Sequence, residues 1–140
     1  MKRLFLVLSL LVIGCSDNLS LENCDCNLNI TSDLPHDNGV YELEYNSDLA
    51  QTYSILNCQT DCGWSQHIQW DSDYSYQIQP NQWVSLVNPA SMTDEFGEGS
   101  IVFAVWEEFI GHTVTIYGGY TDDCGHHLVD SIKVKVIDNE

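Results

Sequence analysis

The chain has 140 residues, with 21 acidic side chains against four Lys and Arg and a formal net charge of −17. That length supports one domain with its own core. A charge this negative repels phosphate backbones and anionic headgroups, so nucleic-acid binding is excluded.

The first element is a leader. Lys2 and Arg3 precede a run from Leu4 to Ile13 that is apolar apart from Ser9, and Gly14 and Cys15 follow. A basic start, a short apolar run and a small residue before the cut describe a secretory signal peptide. The run is too short to span a bilayer, which takes ~20 residues. Val12-Ile13-Gly14-Cys15 resembles the bacterial lipobox. That resemblance implies cleavage after Gly14, a diacylglycerol on the Cys15 thiol, and Cys15 as the mature N-terminus. The alternative is an ordinary signal peptide with a chance cysteine. Each buried CH₂ of an acyl chain contributes about 0.8 kcal/mol, and more than one chain makes anchoring stable. Ser16 stands where Asp would signal inner-membrane retention, so the expected address is the outer membrane, on its surface or periplasmic face. Without residues 1–14, Lys133 and Lys135 alone oppose the 21 carboxylates, and the charge becomes −19.

Residues 15–38 are polar and read as a linker, with the domain expected over 39–140. Strand signals then follow in close succession. Val40–Tyr45 alternates with Tyr41, Leu43 and Tyr45 on one face, and 51–57 alternates through Tyr53 and Ile55. Residues 66–70 alternate through Ile68 and Trp70, and Tyr74, Tyr76 and Ile78 share a face up to Pro80. Residues 83–87 lead to Asn88-Pro89, and Ile101 to Trp106 is apolar throughout, as in a strand covered on both sides or a well-buried central strand. Residues 112–117 alternate through Val114 and Ile116, and 131–137 through Ile132, Val134 and Val136, with Lys133 and Lys135 outward. Period-two alternation marks half-buried strands. Seven or eight such strands predict an all-β, Ig-like β-sandwich.

Four stretches carry a family resemblance: Trp83 to Ser91, Glu95 to Val105, Gly111 to Gly119, and Asp130 to Val136. Together they resemble BACON domains, the Ig-like modules of secreted Bacteroidetes proteins, over roughly Val40 to Val136. Gly111-His112 stands where that family often has Arg, and the Gln near the end of its last strand is missing after Val136. The last two strands also suit a PKD-like module. Either resemblance implies the same fold class. The BACON resemblance implies glycan or mucin binding, or a spacer role.

With Cys15 lipidated, five cysteines remain: Cys24, Cys26, Cys58, Cys62 and Cys124. In a secreted chain they imply disulfides and one odd thiol. An Ig-like sandwich would gather them at one pole with His67, His126 and His127. The expected pairing joins Cys58 or Cys62 to Cys124, and Cys24 or Cys26 to the other, with a Cys58–Cys62 bridge as the rival. The alternative use of this pole is a Zn²⁺ or copper site of thiolates and imidazoles, although the spacing is not a standard zinc pattern. Asp71, Asp73, Asp122 and Asp123 carry the oxygens Ca²⁺ needs, but read better as solvated turn residues. No cofactor beyond the lipid is expected.

Trp64, Trp70, Tyr74 and Tyr76 cluster around a polar turn and are the candidate glycan contacts; Trp83 and Trp106 are assigned to the core. Catalytic motifs are missing, and Glu107 and Glu108, as adjacent strand residues, point to opposite faces. The expected function is therefore a non-catalytic, lipid-anchored envelope module that binds glycan. The alternatives are a structural or assembly lipoprotein contacting other envelope proteins, and a metal-binding lipoprotein.

Overall fold

The computed structural model describes residues 25–62 and 65–139; Cys15, Cys24 and Trp64 lie outside them. The described chain is a β-sandwich. One sheet holds β1 (Leu28–Ser32), β4 (Thr52–Thr60) and β9 (Glu98–Val105), in the order β1-β4-β9. The other holds β2 (His36–Asp37), β3 (Val40–Tyr45), β5 (His67–Ser72), β8 (Ala90–Met92), β10 (Thr113–Thr121) and β11 (His127–Asp138), in the order β2-β3-β11-β10-β5-β8. A separate hairpin is formed by β6 (Ser75–Gln79) and β7 (Gln82–Ser85). All pairings are antiparallel except β3 with β11.

All eight expected strands form, and β1, β2 and β8 add to them. The first two fall inside the expected linker, so the sandwich begins near Leu28 rather than at residue 39. The segment gave little warning, because only Ile30 in β1 is fully buried. Asn38 (φ 49°) and Gly39 (φ 80°) make the two-residue turn between β2 and β3, the conformation that an Asn-Gly pair favours.

The core lies between the two sheets. Leu56, Ile101, Phe103 and Val105 come from one, and Ile68, Trp70, Val114, Ile116, Val134 and Val136 from the other. Each such burial is worth about 1.5–3 kcal/mol. Polar ties cross between the sheets as well. The Ile30 amide donates to Asp130 Oδ2 at 2.7 Å, and the Thr60 and Tyr120 hydroxyls share a buried hydrogen bond of 2.5 Å. Cys26 is bonded to Cys62 with 5.2 Å between Cα atoms, fixing the chain just before β1 to the end of β4.

Three burial expectations are corrected. In β4 the inward set is Thr52, Leu56, Cys58 and Thr60, while Tyr53 (63% exposed) and Ile55 face solvent. Both phases of that strand offer an apolar pair, and the run Leu56-Cys58-Thr60 decides. In β9, Val102 is exposed, so this strand is covered on one side only. Trp83 is 59% exposed because β6 and β7 stand apart from both sheets; Trp106 is half-buried and stacks on Tyr76.

Gly118 sets the spacing at the sandwich centre. A Cβ there would lie 2.9 Å from Ile30 Cδ1 and 3.1 Å from the Trp70 ring. Gly118→Ala should therefore destabilise by about 1–3 kcal/mol, since overpacking displaces a ring and a methyl at once. Opening the Cys26–Cys62 bridge with Cys62→Ser should cost about 2–4 kcal/mol. Urea unfolding followed by tryptophan fluorescence checks both; a midpoint equal to the parent's in either variant would contradict the assignment.

Candidate functional site

Alternation along β5, β10 and β11 turns His67, Gln69, Asp71, Tyr117, Gly119, His127 and Val129 onto the outer face of the six-stranded sheet. The register aligns them in rows. Gly119 sits between Gln69 and Val129, Tyr117 pairs with Asp71, and Thr121 pairs with His127. Because Gly119 has no side chain, the middle row dips between Gln69 and Val129, and the rows on either side stand as walls. The result is an open groove of about 480 Å³, with Pro89 at one end and Val129 and His127 at the other. Tyr117 is 41% exposed and presents its ring there.

The glycine is required. A Cβ on Gly119 would lie 2.9 Å from the Leu128 carbonyl oxygen and 3.2 Å from Val129 Cγ2. Beneath the floor lies Trp70, 5% exposed, whose indole N–H donates to Ser91 Oγ at 2.9 Å. Ser91 also hydrogen-bonds the Cys58 thiol. Ser91 belongs to β8, so this buried chain holds β8, and Pro89 just before it, against the groove's end. His127 Nδ1 lies 3.2 Å from Thr121 Oγ1, which orients that imidazole along the wall.

The groove's polar groups are one carboxylate, one carboxamide and two imidazoles around an aromatic ring. This set suits a ligand with one apolar face and a rim of hydroxyls. Lys133 and Lys135 project from β11 on the same side of the sheet.

The residues singled out from sequence fall in several places. Trp70 is a core residue and presents no ring to a ligand. Tyr74 is exposed but packs edge-on against Phe109 and His112, and the Tyr76 ring stacks on Trp106 at 4.2 Å while its hydroxyl donates to Glu108 Oε1 at 3.2 Å. Neither tyrosine lines the groove. Glu107 and Glu108 sit in a 3₁₀ turn, Glu107–Phe109. Tyr117, Gln69 and Asp71 are the residues that aromatic clustering missed; alternation around Gly118-Gly119 was the signal for them.

Half of the expected cysteine pairing forms: Cys26 joins Cys62 and one thiol is left over, while the expected bond from Cys58 to Cys124 does not form. Cys58 is free and buried, and the rival Cys58–Cys62 bridge does not form either. The reason is β4's phase, which points Cys58 into the core. Cys124 is in a disulfide whose partner lies outside the described residues. Among the described residues no three His, Cys, Asp or Glu side chains converge as a metal site. His67 and His127 serve the groove, and His126 Nδ1 lies 3.3 Å from Asp122 Oδ2. Asp122 Oδ1 accepts from the amides of Cys124 and His126, and Asp73 Oδ1 from the Thr115 amide.

Two buried groups titrate upward. Burial raises the Cys58 thiol above its ordinary 9.0, against hydrogen bonds from Ser91 and Gly99 that pull it down. Burial also raises Tyr120 above 10.0, opposed by its bond to Thr60 and reinforced by the charges of Asp61, Asp122 and Asp123.

No protein-family model and no curated protein matches this sequence. Among solved structures, the chain is similar to the N-terminal domain of PorA, with 11% identity, a TM-score of 0.41, and 79% of this chain and 96% of that one covered. It is also similar to Spo0M, a sporulation control protein from Bacillus subtilis, with 8% identity and a TM-score of 0.34; that match covers 81% of this chain and half of Spo0M.

A pH prediction follows from the two raised groups. The folded chain holds both protons more tightly than the unfolded chain. The stability they contribute is full below about pH 9 and is lost as pH rises through their folded values. Urea midpoints should fall from about pH 9 to about pH 11, and fall less steeply in Tyr120→Phe. Equal slopes in parent and variant would contradict the role given to Tyr120.

Proposed function

We propose that this chain is a non-catalytic, lipid-anchored module of the bacterial cell envelope, and that it binds glycan in the groove over Gly119. The observation that carries the reading is the groove's composition. The exposed Tyr117 ring stands beside a side-chain-free floor, with Asp71, Gln69, His67 and His127 around it. A flat ring packs on the C–H face of a sugar, and a carboxylate or carboxamide takes adjacent hydroxyls as hydrogen-bond partners. The lipobox resemblance at Cys15 supplies the anchor and the outer-membrane address in this reading.

A second reading draws on the opposite face. Tyr53, Ile55 and Val102 are exposed on the outer face of the three-stranded sheet, with Ile55 paired directly to Val102. An apolar patch of this kind favours a protein partner, as an assembly lipoprotein would need.

The test is a glycan panel of mucin O-glycans, xylan, β-mannan and mixed-linkage β-glucan, applied to the domain without its leader. At least one polymer should bind, and Tyr117→Ala or Asp71→Asn should weaken it roughly tenfold or more, about 1.4 kcal/mol. Trp83→Ala, on the separate hairpin, should leave affinity unchanged. A folded protein that binds no member of the panel would overturn the glycan reading and leave the protein-partner reading.

A further inference from the structure

The groove's shape says more than its composition. Its lining runs across strands rather than along one: Pro89 next to β8, then Gln69 on β5, Gly119 on β10 and Val129 on β11. The two walls are successive rows of the same strands, with His67 and His127 on one side and Asp71 and Tyr117 on the other. Among the described residues the β11 end is not closed by another strand. β3 begins to pair with β11 only at Lys133, which leaves Val129 and His127 on an uncovered stretch of that edge. At the far end β8 is the last strand of the sheet and is only three residues long.

We infer that the groove takes an internal stretch of a linear polysaccharide, lying perpendicular to the strands, rather than a chain end or a single sugar. The inference rests on the glycan reading above. Neighbouring strands are about 4.8 Å apart, and a sugar in an extended chain advances by close to one such spacing, so the three steps from Pro89 to Val129 hold about three sugars. The central sugar lies over Gly119, where the floor is lowest. Tyr117 meets its apolar face, Gln69 and Asp71 meet its hydroxyls, and the chain continues past both ends. A pocket for a terminal sugar needs a wall across one end, and among the described residues no strand of the sheet supplies one at β11.

The experiment is titration calorimetry of the leaderless domain with xylan, β-mannan and mixed-linkage β-glucan, and with the one- to six-unit oligomers of each. Affinity should rise roughly tenfold or more from the single sugar to the trimer and change by less than about twofold from tetramer to hexamer. Reducing and capping the chain ends should leave binding intact. Pro89→Ala, at the far end of the groove, should weaken the trimer and leave the weak binding of the single sugar nearly unchanged. Equal affinity for one unit and six, loss of binding on capping the ends, or binding of mucin O-glycans alone would overturn the inference while leaving the glycan reading in place. Binding of none of these polymers or of mucin would overturn the glycan reading itself.

Discussion

The close approach of Trp70 and Ile30 to Gly118 governs much of this structure. The strand β10 passes between the core and the outer face with two glycines in succession, and each serves one side. Gly118 points inward and leaves room for an indole ring from its own sheet and an isoleucine from the opposite one. Gly119 points outward and leaves a gap in the sheet surface between Gln69 and Val129. The bulk missing from β10 is made up by Trp70, and Trp70 must then satisfy a buried N–H. Ser91 does so, which brings in β8 and the free thiol of Cys58. The two glycines thus explain a buried polar chain and the seat of an edge strand on one side, and the form of the groove on the other.

The N-terminal end of the described chain is organised by different means. The Cys26–Cys62 bond holds the incoming chain to β4, and the amide of Ile30 reaches across to Asp130 on the other sheet. A strand with one fully buried side chain adds little hydrophobic energy, so β1 relies on these ties to stay in place. Its presence also covers Ile30, the residue that completes the packing on Gly118.

Much of the fold was legible because it is written in period two. β3, β5, β10 and β11 carry their buried residues at alternate positions, and those faces are the observed ones. Legibility failed where both phases of a strand were apolar, as in β4 and β9. There the outward residues Tyr53, Ile55 and Val102 look like core residues, and only the facing sheet decides. It failed again for aromatic side chains. Trp70 and Trp83 are chemically alike, yet one is sealed by Gly118 and Ser91 and the other rides on a hairpin outside both sheets. The site was hidden for a related reason: its floor is an absence of side chain, and its walls come from three strands whose register sequence does not reveal. Tyr117 follows from the alternation of Val114 and Ile116, but its pairing with Asp71 does not.

The central claim is that ligand sits over Gly119 on the outer face of the six-stranded sheet. It is tested most directly by amide chemical-shift mapping of the ¹⁵N-labelled chain without residues 1–14 against the polymers of the glycan panel. The account predicts shifts confined to β5, β10 and the first half of β11, strongest at Gln69, Tyr117, Gly119 and Val129. Shifts centred on Tyr53, Ile55 and Val102, or on the hairpin that carries Tyr76 and Trp83, would contradict it.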